Sequence, residues 1–162
     1  MISSPLTRAL RTALIVYEDE KILVHPGFAE LHESWHHQIP ENLGRPLSQL
    51  LEDPSLSFHG IERVDFTYLQ DWPNQKESYE HLGLEFLATR SEKRFVVFTH
   101  HNWIIDVLRH HSPRRVENCC QVHVFLQYDG KKVKVYPAES PHQWCNPSYS
   151  FDSDTEDQDE AN

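Results

Sequence analysis

The sequence predicts an α/β fold, and three observations carry that prediction. Helix-like and strand-like patterns alternate along the chain, as they do where helices pack on a sheet. One continuous apolar run, Phe95-Val96-Val97-Phe98-Thr99, has the character of a strand buried on both faces, as in the middle of a parallel sheet. A pair of strand-like segments, 121–128 and 132–136, flanks Asp129-Gly130, a dipeptide whose two positions tolerate positive φ and which marks a hairpin.

Taken in order, Ser4-Pro5 opens the first helix, with serine as the expected N-cap and proline in the first turn, where its missing N–H costs nothing. Leu6, Ala9, Leu10, Ala13 and Leu14 recur at helical spacing and define one buried stripe. Ile22-Leu23-Val24 is a short strand, stopped by Pro26-Gly27. Residues 28–45 are irregular and rich in His, Trp, Pro and Gly, and a loop of that length is more often functional than idle. Pro46 starts a brief helix through Leu51, and a second amphipathic helix is expected from Glu77 to about Glu92. The apolar strand at 95–99 runs into His100-His101-Asn102, and Trp103 to Leu108 continue as a helix.

Composition bounds the function classes. A chain of 162 residues with 38% hydrophobic content is long enough for one domain with a real core. The formal charge of −10 is concentrated: six acidic residues and no basic ones fall between Asp152 and Glu160, leaving only about −4 for the rest. Residues 1–147 are therefore expected to form one domain and 148–162 a disordered acidic tail. No basic stripe is present, which argues against nucleic acid as a partner. Three cysteines, two of them adjacent, suit a reducing compartment better than a disulfide scaffold. The N-terminal residues lack the pattern of a secretory signal, and no apolar stretch reaches the ~20 residues of a membrane span. A cytoplasmic protein with no membrane partner is the expectation; nothing in the sequence sets its oligomeric state.

Three segments carry candidate chemistry. In Ser3-Ser4-Pro5-Leu6-Thr7-Arg8-Ala9, followed by Thr12-Ala13, a strand ends, a helix begins, and an arginine sits in its first turn. A guanidinium there can grip two oxygens of an anion bound at the strand ends. In Val24-His25-Pro26-Gly27-Phe28-Ala29-Glu30-Leu31, a carboxyl follows a strand and a tight turn. In Phe95-Val96-Val97-Phe98-Thr99-His100, a buried strand delivers a histidine.

These segments resemble the histidine phosphatase (phosphoglycerate-mutase-like) superfamily, with looser echoes of its plant and fungal branch. The first is similar to the family's Ser-Ser-Pro-Leu-x-Arg-Ala-x-x-Thr-Ala segment. The second is similar to Val-His-Pro-x-Leu-x-Glu, although Ala29 stands where arginine is frequent. The third is similar to Val-Val-[Ser/Thr]-His-Gly-Gly, with His101-Asn102 in place of the glycines. Weaker echoes are Pro40 with Gly44-Arg45-Pro46-Leu47-Ser48, Asp71-Trp72, Glu77-Ser78, Gly83-Leu84-x-Phe86-Leu87 and Asn118-Cys119. The resemblance covers about residues 2–128. It implies a three-layer sandwich of the phosphoglycerate-mutase-like type. It also implies that Arg8 and His100 bind phosphate and that Glu30 and His100 are catalytic, Glu30 as the acid that protonates the leaving oxygen. The implied partner is a phosphorylated small molecule or a phosphoprotein, with no cofactor and no metal.

The family's strand ending in Arg-His-Gly, whose histidine takes the phosphoryl group, has no counterpart, and that tripeptide occurs nowhere in the chain. The expected domain is thus an incomplete one, missing its first central strand, with Met1-Ile2 beginning the second. Such a loss leaves unpaired backbone groups inside the sheet and removes the nucleophile, so impaired or absent turnover is expected. Two alternatives stand beside this one. A non-catalytic module can hold a phosphorylated ligand with the same residues. His32-Glu33-Ser34-Trp35-His36 matches the H-E-x-x-H string of zinc proteases, but Pro26-Gly27 and Pro40 leave little room for the helix that motif needs.

Overall fold

The structure is a computed structural model and describes residues 1–30, 44–69, 80–108, 116 and 120–138. Within them lies a four-stranded parallel sheet flanked by helices, plus a small antiparallel hairpin. The strands are β1 (Ile2–Ser3), β2 (Ile22–Val24), β3 (Val64–Asp65) and β4 (Val97–Phe98), in the spatial order β3-β2-β1-β4. Ile2 is in register with Leu23 on one side and Val97 on the other; Ser3 is in register with Val24 and Phe98.

That register sorts the side chains by face, because successive residues of a strand point to opposite sides. Ile22, Val24 and Phe98 pack on one side with Leu10, Ala13 and Leu14 of helix α1 (Thr7–Val16). Leu50 of α2 (Leu47–Leu51) and Leu56 of α3 (Pro54–Ser57) complete this cluster together with Leu69. On the other side Ile2, Leu23 and Val97 pack with Phe28, with Leu84 and Leu87 of α4 (Glu80–Ala88), and with Trp103 of α5 (His101–Val107). The hairpin pairs β5 (Val124–Tyr128) with β6 (Val133–Pro137), and Leu126 joins the second cluster. Its turn contains Gly130 at φ 90°, as Asp129-Gly130 predicts.

Several expectations need correction. Helix α1 starts at Thr7, not after Ser4: Leu6 is extended at ψ 131°, and the Ser4 hydroxyl accepts the Leu6 N–H instead of capping the helix. The apolar stripe of α1 stands as expected. Helix α4 ends at Ala88, four residues short of Glu92; its expected start at Glu77 lies outside the described residues. The run Phe95–Thr99 contributes only two strand residues, both half-buried, at one end of the described sheet rather than its middle. A missing central strand implies a gap inside the sheet. Instead β1 is hydrogen-bonded on both sides, with Ile2 N–H donating to Val96 O and Leu23 N–H donating to Met1 O. Strand β3 has no pattern in the sequence to announce it.

Two arginines lock the helices around this sheet. Arg63 donates to the carbonyls of Leu14, Tyr17, Glu20 and His59; the first two are acceptors that the end of α1 would otherwise leave open. Arg45 bonds Thr7 Oγ1, Asp53 and the Gln49 carbonyl, tying the start of α1 to α2 and α3. No helix of the described residues is long and apolar enough to cross a membrane. The acidic segment 148–162 and the H-E-x-x-H string lie outside the described residues, as do Asp71-Trp72, Glu77-Ser78 and Asn118-Cys119.

Candidate functional site

Strands β2, β1 and β4 are neighbours and run in the same direction, so their carboxyl ends open on one edge of the sheet. That edge is where open parallel sheets collect ligand-binding groups. Each of the three strands sends one candidate residue there. Arg8 lies in the first turn of α1, after β1; Glu30 lies past the turn that ends β2; His100 is the residue before α5, two beyond β4.

The three side chains meet at one carboxylate oxygen. Arg8 Nη2 is 3.4 Å from Glu30 Oε2, and His100 Nδ1 is 4.0 Å from the same atom. The other oxygen, Glu30 Oε1, accepts the backbone N–H of Asn102 at 3.1 Å. Burial differs across the group: the Arg8 side chain is 42% exposed, Glu30 10% and His100 4%. The cluster is thus open to solvent on the arginine side and closed on the histidine side. In such a half-shielded place a charge pair is screened less than on a free surface.

Each position has a local cause. Glu30 is held by the 3₁₀ turn Pro26–Phe28, which is pinned from several directions. His25 Nδ1 accepts the Gly27 N–H at 3.1 Å, the Trp103 indole N–H donates to Gly27 O at 2.8 Å, and the Thr99 hydroxyl donates to Phe28 O at 2.8 Å. The turn also lies directly against α4. A Cβ on Gly83 would fall 2.4 Å from Gly27 O, and one on Gly27 would fall 2.3 Å from Gly83 N, so both positions require glycine. His25 itself is buried against Phe28, Tyr68 and Phe86, and burial pushes its pKa down to about 4, which leaves it a neutral hydrogen-bond acceptor.

His100 is oriented from behind: its Nε2 lies 2.7 Å from the Ser4 hydroxyl, which is fully buried. His101 turns away, its Nδ1 bonding the Val116 carbonyl at 2.7 Å. The absence of glycines after His100 therefore does not block the backbone there, since the Asn102 N–H still reaches Glu30. The sequence motifs single out Arg8, Glu30 and His100, which the structure brings together; they do not single out the Ser4 hydroxyl or the Asn102 amide, which touch His100 and Glu30. Ser4 is legible as a helix cap and as a member of the Ser-Ser-Pro-Leu segment, neither of which points to His100, and a backbone amide carries no residue signature.

As chemistry, this is a permanently charged donor, an imidazole and a backbone amide converging around one anionic group. Among the described residues no group of three or more His, Cys, Asp or Glu side chains is arranged to hold a metal ion. Comparison with family models, with curated proteins and with solved structures finds no match.

Proposed function

We propose that this chain is a relative of the histidine phosphatases and that Arg8 and His100 hold the phosphoryl group of a phosphorylated small molecule or phosphoprotein, with Glu30 opposite. The observation that carries this reading is the meeting of Arg8 and His100 at a single oxygen of Glu30. It is supported by the approach of three groups from the carboxyl ends of three adjacent strands. The motif resemblance implies a phosphate site at these same three residues. In this reading the sheet and its helices belong to the three-layer sandwich of the phosphoglycerate-mutase-like type.

The chemistry of the 162 residues as written favours binding over turnover. Phosphoryl transfer through histidine needs an imidazole aimed at phosphorus, and the sequence contains no Arg-His-Gly. His100 is committed through Nε2 to Ser4, which suits a donor to the equatorial oxygens rather than a nucleophile.

Titration of the chain with inorganic phosphate and vanadate, beside a sensitive assay on para-nitrophenyl phosphate, tests both halves. Saturable binding without nitrophenol release is expected, weakened at least about ten-fold by Arg8→Ala and by His100→Ala, the loss of one charge-assisted hydrogen bond. Nitrophenol release abolished by both substitutions would refute the absence of turnover. Failure of either anion to bind would refute the site.

A further inference from the structure

The hydrogen bonds of Ser4 bear on where the proton of His100 lies. The Ser4 hydroxyl oxygen accepts the Leu6 N–H at 3.2 Å and sits 2.7 Å from His100 Nε2, and the residue exposes no surface. A hydroxyl has one hydrogen to donate. Were Nε2 to carry the proton, it would donate to Ser4, and the serine hydrogen would have no acceptor among the described residues. Leaving a fully buried donor unsatisfied is the more costly arrangement. The chain of donors therefore runs from Leu6 N–H to Ser4 Oγ and from Ser4 O–H to His100 Nε2.

We infer that Ser4 is the positioning residue of the site, holding neutral His100 with its proton on Nδ1, the nitrogen that faces Glu30 and any anion bound beside it. A neutral imidazole in water prefers the proton on Nε2, so this is a state the protein imposes. Its consequence, which rests on the proposed function, is that His100 donates to a phosphoryl oxygen without first becoming an imidazolium. Ser4, His100 and Glu30 stand in the order of a serine–histidine–acid relay. Burial of Ser4, and the Leu6 N–H already on its oxygen, assign it to orientation and not to attack.

Nitrogen-15 NMR of histidine-labelled chain at about pH 8.5, above the usual imidazole range, reads the tautomer directly. The native chain should show His100 protonated on Nδ1, Ser4→Ala should move it to the Nε2–H form, and Ser4→Thr should restore it. Inorganic phosphate should bind Ser4→Ala about five-fold more weakly and Ser4→Thr about as tightly as the native chain. An Nε2–H signal in the native chain overturns the inference without any variant, and so does a tautomer or an affinity that Ser4→Ala leaves unchanged. Phosphate binding that ignores Arg8→Ala, with the tautomer as expected, would sink the phosphate reading alone and leave the role of Ser4 standing.

Discussion

Glu30 supplies the negative charge that Arg8 and the Asn102 amide now share, so it competes with any anion that enters. At an effective dielectric of roughly 20, two negative charges a few ångströms apart repel by several kcal/mol, less where solvent screens them. Glu30→Gln removes that repulsion while keeping an oxygen for Asn102, and should tighten phosphate binding about five-fold in calorimetric titration. Weaker binding would mean that the carboxylate assists the anion rather than opposing it. His25 gives a second residue-level expectation, this time in stability. Its pKa is lowered from 6.5 to about 4 by burial, so the unfolded chain takes up this proton first as pH falls. The contribution of neutral His25 is complete above about pH 6.5 and is lost between there and about pH 4, amounting to about 2 kcal/mol after allowance for solvent screening. Urea unfolding at about pH 7.5 and about pH 4.5 should show this loss in the native chain and a smaller one in His25→Asn.

At the scale of elements, the 3₁₀ turn Pro26–Phe28 connects the core to the site. Helix α4 presses on it through Gly83, α5 grips it through Trp103, and Glu30 follows two residues later. Gly83→Ala places a methyl against backbone that has no side chain to move aside, and should cost about 3 kcal/mol in chemical denaturation. Trp103→Phe keeps the ring but leaves the Gly27 carbonyl without its donor, for about 1–3 kcal/mol. Both variants should also tighten phosphate binding, since both loosen the segment that holds the competing Glu30 carboxylate in place. A loss of stability with unchanged binding would detach the turn from the site. Little of this was legible in the sequence. Helix α1 and strand β2 are written in local apolar periodicity, and Asp129-Gly130 in turn chemistry. The contact of Gly27 with Gly83, by contrast, joins separate motifs whose glycines each have an innocent local reading. Strand β3 and the position of β4 at one end of the described sheet depend on pairing partners that no single segment encodes.

Across the whole molecule, the parallel sheet explains why residues 8, 30 and 100 meet despite their separation. Adjacent parallel strands deliver their carboxyl ends to one edge, and each is followed within a few residues by one member of the cluster: Arg8 after β1, Glu30 after β2 and His100 after β4. The three residues could be named from sequence because each sits in a short motif. That Ser4, 96 residues before His100, orients its ring could not, because the relation exists only once β1 and β4 pair. The most direct test of the central claim is amide and imidazole NMR of the 162-residue chain during titration with inorganic phosphate. Saturating shifts that share one dissociation constant are expected at the Asn102 amide, the Arg8 guanidinium and the His100 ring. Shifts scattered over other surfaces, with these three signals unmoved, would contradict it.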